Sequence, residues 1–106
     1  MKFKRTKMVC TMGPATDHPG IMEALIANGM NVARLNFSHG SHEEHAGRIA
    51  RLKNARKDAG TPIAIMLDTK GPEIRTGILK EDKVTLEEGH DIVLTTDDIE
   101  GDATRV

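Results

Sequence analysis

The chain has 106 residues, of which 38% are hydrophobic, and its 15 basic and 16 acidic side chains give a formal net charge of -1. This length allows one domain with a modest core, and the balanced charge gives no reason to expect a nucleic acid or an anionic membrane as a partner. The apolar stretch after the basic start is too short for a secretory signal or a membrane span. A single cysteine, Cys10, is typical of a cytoplasmic protein.

The first half of the chain alternates between strand and helix patterns. Residues 7–12 form a mostly apolar run that predicts a short buried strand. A helix is predicted over residues 19–27, with Asp17 as the cap of its start. A second strand is predicted over residues 31–38. Strands and helices that alternate with short connections are typical of the α/β class.

A second helix and a third strand continue the pattern. Ser41 is followed three residues later by Glu44, which is a capping box, and the helix is expected to run to Ala59. Its buried side is expected to consist of Ala46, Ile49, Ala50 and Ala55. Residues 63–67 are apolar without alternation, which predicts a strand covered by helices on both faces. This order indicates a parallel sheet, either open or closed into a barrel.

The pattern changes after Gly77. Residues 84–87 and 92–95 nearly alternate between apolar and polar, and the four residues between them have a turn composition. We therefore predict an antiparallel hairpin here. The predicted domain division places residues 1–75 in one α/β domain and residues 76–106 at the start of an antiparallel β-domain.

Polar side chains gather at the ends of the second and third strands. Arg34, Asn36 and Ser38 lie on one face of the second strand because strand side chains alternate. The third strand runs directly into Asp68 and Thr69. Leaving such groups unpaired in a covered sheet would be costly. Ligands of α/β proteins bind at the C-terminal ends of strands, so a site is predicted there.

The residue types at these strand ends suggest two kinds of ligand. Arginine binds phosphate through its planar donor fork, and the Asn, Ser and Asp oxygens suit a hard cation. The alternative is that Arg34 and Asp68 form a structural ion pair, while Asn36 and Ser38 satisfy local backbone groups. The cluster of His39, His42 and His45 matches no zinc motif, and only His39 is expected to contact a ligand.

Three segments of the chain resemble the amino-terminal part of pyruvate kinases, most like the bacterial forms. They are TKMVCTMGPA at residues 6–15, GMNVARLNFSHG at residues 29–40 and LDTKGPEIRTG at residues 67–77. The resemblance implies the first three strands and two helices of a (β/α)8 TIM barrel, followed by the start of an inserted antiparallel β-domain. It also implies a glycolytic enzyme that transfers a phosphoryl group from phosphoenolpyruvate to ADP.

The same resemblance implies roles for particular residues. Arg34 is expected to bind the phosphoryl end of phosphoenolpyruvate. The expected K⁺ ligands are Asn36, Ser38, Asp68 and Thr69, and the expected contacts to ADP or ATP are Asn36, Phe37, Ser38, His39 and Arg75. The main Mg²⁺ ligands and the lysine that assists transfer are expected outside this chain.

The expected form of the whole enzyme is a cytoplasmic homotetramer, and the isolated chain is expected to be inactive. Two further hypotheses stay open. The chain is either a non-catalytic module that binds phosphate or a cation, or a structural piece that complements the remaining polypeptide. Neither membranes nor nucleic acids are expected among its partners.

Overall fold

A computed structural model describes residues 3–106, which divide into two compact units. The first reaches to Gly71 and contains the regular elements, whereas the second runs from Pro72 to Val106. In the first unit the elements are β1 (Met8–Met12), a 3-10 turn (Pro14–Thr16), α1 (Ile21–Ala27), β2 (Met30–Asn36), α2 (His42–Asp58) and β3 (Ala64–Asp68). The predicted α/β class with three strands and two helices is confirmed.

The three strands form one parallel sheet in the order β1-β2-β3. Its register places Arg34 of β2 beside Thr11 of β1 and Met66 of β3, and it places Asn36 beside Asp68. Residues paired in this way share a face of the sheet. The polar side chains of β2 therefore lie on the same face and near the same end as the last residue of β3.

The hydrophobic core lies on the opposite face of the sheet. Ala33 and Leu35 of β2 are fully buried, and so is Leu52 of α2. Right-handed crossovers in a sheet of this order place both helices on one face. The prediction that β3 is covered on both faces is wrong, because Met66 and Leu67 are 43% and 52% exposed at the edge of the sheet.

Helix α1 does not begin as predicted. Its N-cap is Gly20, whose φ of +83° is a left-handed conformation that glycine adopts without steric cost. Asp17 is not a cap, because its carboxylate accepts hydrogen bonds from Arg48 and Arg51 of α2. Two arginines occupy the carboxylate, and the N-cap of the helix lies three residues further on at Gly20, so Asp17 is not in a capping position.

The capping box of α2 is confirmed. Glu44 N donates to Ser41 Oγ at 3.2 Å, and Ser41 N donates to Glu44 Oε2 at 2.7 Å. The predicted buried side is half right: Ala55 is buried and Ile49 packs against the core, whereas Ala46 and Ala50 are exposed. The buried residues of α2 are His45, Arg48, Leu52 and Ala55, which recur at helical spacing.

The second unit contains little regular structure in its described residues. The predicted hairpin is wrong: the bridges outside named strands are Leu79–Gly101 and Val93–Arg105, and both are parallel. Its turn is present, since His90 N donates to Glu87 O at 3.2 Å. However, the backbone of Val93 pairs with residues 104 and 106 and not with residues 84–87. The domain division at residues 75 and 76 stays a prediction.

Candidate functional site

The guanidinium of Arg34 lies at the C-terminal end of the sheet and contacts both neighbouring strands. Its Nε and Nη2 donate to Asp68 Oδ2 at 2.9 and 2.5 Å, and its Nη1 donates to Thr11 Oγ1 at 3.0 Å. The Arg34 side chain is 29% exposed. These contacts fix the orientation of the guanidinium while leaving part of it accessible to solvent.

The ion pair that the sequence left as an alternative is therefore formed. Both bonds from Arg34 go to the same oxygen of Asp68. The pair is therefore not the bidentate arrangement in which arginine donates to both oxygens of a carboxylate. Arginine carries five N–H donors, and three of its nitrogen atoms donate one bond each in these contacts. The pair is thus compatible with a ligand on the exposed side of the guanidinium.

Residues 37–40, called here the 37–40 loop, turn back over the end of β2. Ser38 N donates to Asn36 Oδ1 at 3.1 Å, and His39 N donates to Asn36 O at 3.2 Å. Phe37 N donates to Asp68 O at 3.0 Å, which ties the loop to the end of β3. The loop is therefore anchored on both strands that carry the candidate ligands.

The oxygen atoms at the C-terminal ends of β2 and β3 are of the chemical types that bind a hard cation. Asn36 and Asp68 are neighbours by strand register. Thr69 directly follows β3, and Ser38 lies two residues after the end of β2. Amide, hydroxyl and carboxylate oxygens are preferred by alkali and alkaline-earth ions, and Asp68 supplies a negative charge. Among residues 3–106, no group of three or more His, Cys, Asp and Glu side chains could hold a metal ion.

His45 is a buried residue of the site that the sequence prediction missed. Its side chain is 3% exposed, its Nε2 lies 2.7 Å from the carbonyl oxygen of His39, and its ring stacks on Phe37. His39 itself is exposed, and so is His42. The missed signal was the spacing of His45, Arg48 and Leu52, which places all three on one helical face.

A buried ion pair joins α2 to the β1–α1 connection. Arg48 is 4% exposed and donates to both carboxylate oxygens of Asp17, with Nη2 at 2.6 Å from Oδ2. Hydrogen bonds from Arg48 hold the pKa of Asp17 below its ordinary value, and the same pairing raises the pKa of Arg48. The carboxylate therefore stays ionised, and α2 stays attached to the segment that follows β1.

The predicted site residues fall into two groups. Arg34, Asn36 and Asp68 lie together at the ends of β2 and β3, with the 37–40 loop beside them. Arg75 belongs to the second unit and is exposed, so its role stays a prediction. No helix within residues 3–106 is long and apolar enough to cross a membrane.

A parallel sheet with helices on one face and polar side chains at the C-terminal ends of its strands is the arrangement from which α/β barrels are built. The family model described as pyruvate kinase, barrel domain, matches residues 3–105. The chain belongs to the pyruvate kinase family.

Relatives and solved structures agree with this assignment. The chain is 51% identical over 99 residues to the pyruvate kinases of Staphylococcus aureus strains USA300 and NCTC 8325 / PS 47, which covers 93% of the chain and 17% of each relative. Two crystal structures of Cryptosporidium parvum pyruvate kinase match 94% of the chain at 43% identity, with TM-scores of 0.86 and 0.72. The chain spans 21% of each of those structures, so it corresponds to a small part of a pyruvate kinase.

Proposed function

We propose that this chain supplies part of the active site of a pyruvate kinase, which transfers a phosphoryl group from phosphoenolpyruvate to ADP and gives pyruvate and ATP. Family membership supports the proposal. The observation that carries it is the Arg34 guanidinium, which Asp68 and Thr11 orient at the C-terminal end of the parallel sheet. This end is where ligands bind in α/β barrels.

Arg34 binds the phosphoryl end of phosphoenolpyruvate in this proposal. Because its guanidinium is already oriented, less side-chain freedom is lost when the substrate binds. Negative charge spreads over the phosphoryl oxygens in the transition state of phosphoryl transfer, and a fixed cation stabilises that charge. Asp68 and Thr11 act as positioning residues, since they hold the arginine and not the substrate.

Four oxygen donors would hold K⁺ beside this arginine: Asn36, Ser38, Asp68 and Thr69. When bound, the ion supplies a second positive charge near the transferred group. The single negative charge of Asp68 attracts both Arg34 and the ion, so its removal would weaken both interactions. The nucleotide would lie along the 37–40 loop and Asn36, whereas the nucleotide role of Arg75 in the second unit stays a prediction of the family resemblance.

Other parts of the active site are expected outside this chain. They include the main Mg²⁺ ligands and the lysine that assists transfer, so the isolated chain is expected to bind ligands without turning them over. The whole enzyme is expected to be a cytoplasmic homotetramer with phosphoenolpyruvate and ADP as its substrates.

A titration of the isotopically labelled chain with phosphoenolpyruvate in KCl, followed by ¹H–¹⁵N NMR, tests the proposal. We expect shifts of the Thr11, Arg34 and Asp68 amide signals. The variant R34Q removes the guanidinium and should weaken binding roughly tenfold or more, because bonds to charged groups contribute about 1.5–3 kcal/mol. The control R5Q removes the same charge at the opposite end of the sheet, where Arg5 precedes β1.

The outcomes separate the hypotheses. Equal weakening by R34Q and R5Q would mean that general charge attraction, and not a site at Arg34, binds the substrate. A coupled assay for pyruvate then separates binding from catalysis: binding without turnover supports an incomplete active site, whereas measurable turnover would contradict it. Absence of binding in the wild-type chain would refute a phosphate site within this chain alone.

A further inference from the structure

His45 lies beneath the 37–40 loop and contacts two of its residues with one ring. Its Nε2 is 2.7 Å from the carbonyl oxygen of His39, and its ring centroid is 4.4 Å from that of Phe37 with the planes 17° apart. The ring is on the buried side of α2 and is 3% exposed. It is therefore held by the core on one side and by the loop on the other.

The chemistry of this contact defines the state of the ring. A carbonyl oxygen only accepts hydrogen bonds, so Nε2 must carry a hydrogen and donate it to His39 O. Nδ1 is buried and has no hydrogen-bond partner among the described residues. A buried polar atom without a partner lowers stability. An apolar ring would fill this space without that cost, which indicates that the Nε2 contact has a role beyond packing.

The backbone at the end of the loop approaches α2 closely. Gly40 has a φ of +75°, and a Cβ placed on it would lie 2.9 Å from Glu44 Oε2 and 3.3 Å from His45 Nε2. On its other side the loop is bonded to Asn36 through the amides of Ser38 and His39. The loop is thus confined between α2 and the end of β2, and His45 bonds to its middle.

We propose that His45 is a positioning residue that holds the 37–40 loop from its core side. It thereby sets the positions of Asn36 and Ser38 for binding ADP and a cation. The ligand part of this inference rests on the proposed function. The positioning part depends only on the contacts of His45 within the first unit. His45 itself does not touch the ligand, because it lies on the core side of the loop.

Amide hydrogen exchange on the 106-residue chain tests the positioning. H45F keeps a flat ring against Phe37 and removes the donor, so the protection of the Ser38 and His39 amides should fall roughly 3- to 10-fold. The Asn28 amide, which bonds to Ala24 O in α1, should keep its protection. H45Q should restore most of the loss, because its amide nitrogen reaches about as far as Nε2.

The matched control is H42F, which makes the same substitution on a neighbouring ring. His42 is exposed, and its ring centroid lies 5.9 Å from that of Phe37. H42F should leave the protection of the loop unchanged. An equal loss of protection at Asn28 and in the loop of H45F would mean that His45 only packs the core, and would overturn the inference.

Two further measurements extend the test, and the first needs only the wild-type chain, so it stands even if H45F does not fold. Nitrogen-15 correlation of the imidazole in the wild-type chain should find the hydrogen on Nε2, and a hydrogen on Nδ1 alone would overturn the inference. ADP titration in KCl then tests the ligand part. H45Q should bind ADP more tightly than H45F, which has no donor, and equal affinities would overturn the ligand part of the inference. If the wild-type chain has a protected loop but binds no ADP, the proposed nucleotide site is refuted. Amide protection that is lost in H45F and regained in H45Q would still support the positioning role of His45.

Discussion

Replacing Asp17 with alanine should destabilise the first unit more than any nearby surface change. Arg48 is 4% exposed and donates to Asp17 through Nε at 2.9 Å and Nη2 at 2.6 Å. Arg51 Nη2 adds a bond of 2.7 Å from a more exposed position. The substitution leaves the Arg48 guanidinium buried without its carboxylate, and solvent cannot fully replace that partner.

The size of the effect follows from the burial of the two side chains. Removing one partner of a buried ion pair costs about 3–5 kcal/mol. The Asp17 side chain is 31% exposed, so water screens the pair in part and we expect a loss of about 2–3 kcal/mol. With a typical urea dependence of about 1–3 kcal/mol per molar, the unfolding midpoint should fall by about 0.7–3 M.

Urea denaturation followed by far-UV circular dichroism measures this loss, because the chain has neither tryptophan nor tyrosine for fluorescence. The control Asp58→Ala changes an exposed aspartate at the end of α2 and should stay within about 0.5 kcal/mol of the wild type. The double variant D17A/R48M should recover much of the loss, since it removes both partners. Equal stability of D17A and D58A would refute the buried ion pair.

Acid pH and the glycine of the 37–40 loop provide two further tests. Because Arg48 lowers the pKa of Asp17 below its ordinary value of 3.8, the stability that this pair provides is fully present above that value and is lost as the pH falls through the lower pKa of the folded state. The unfolding free energies of wild type and D17N, measured by urea denaturation at several pH values, should therefore converge in acid, and a constant difference would contradict the pairing. G40A should cost about 2–3 kcal/mol, because it adds a close contact to a left-handed φ, whereas G60A, at φ +59° with open space around it, should cost about 1–2 kcal/mol. Equal unfolding free energies for the two variants would show that the side chains of Glu44 and His45 move aside without cost.

The sequence was informative where local chemistry decides the structure. The capping box of Ser41 and Glu44 predicted the start of α2, and the polar ends of β2 and β3 predicted that Arg34 and Asp68 lie together. Both signals depend on spacing along a single element or on the shared direction of parallel strands. Neither signal depends on which residues distant in sequence compete for the same hydrogen-bond partner.

The wrong predictions share a different cause. The sequence predicts Asp17 as a local cap, but a guanidinium from α2 competes for its carboxylate, and the sequence does not show that competition. The buried side of α2 was predicted from apolar residues alone, which excluded His45 and Arg48. The alternation near Val93 predicted a strand, but the structure has only an isolated bridge there, and its backbone pairs with residues 104 and 106.

The parallel order of the strands also determines how the first unit can fold. Each neighbouring pair of strands is connected through a helix, so neither pairing can form as a local hairpin. The Arg34–Asp68 pair joins residues 34 positions apart, and the Arg48–Asp17 pair joins residues 31 positions apart. The entropy of closing these loops is lost before the contacts stabilise the chain. Contacts this distant in sequence favour slow folding of the first unit over fast assembly from local contacts.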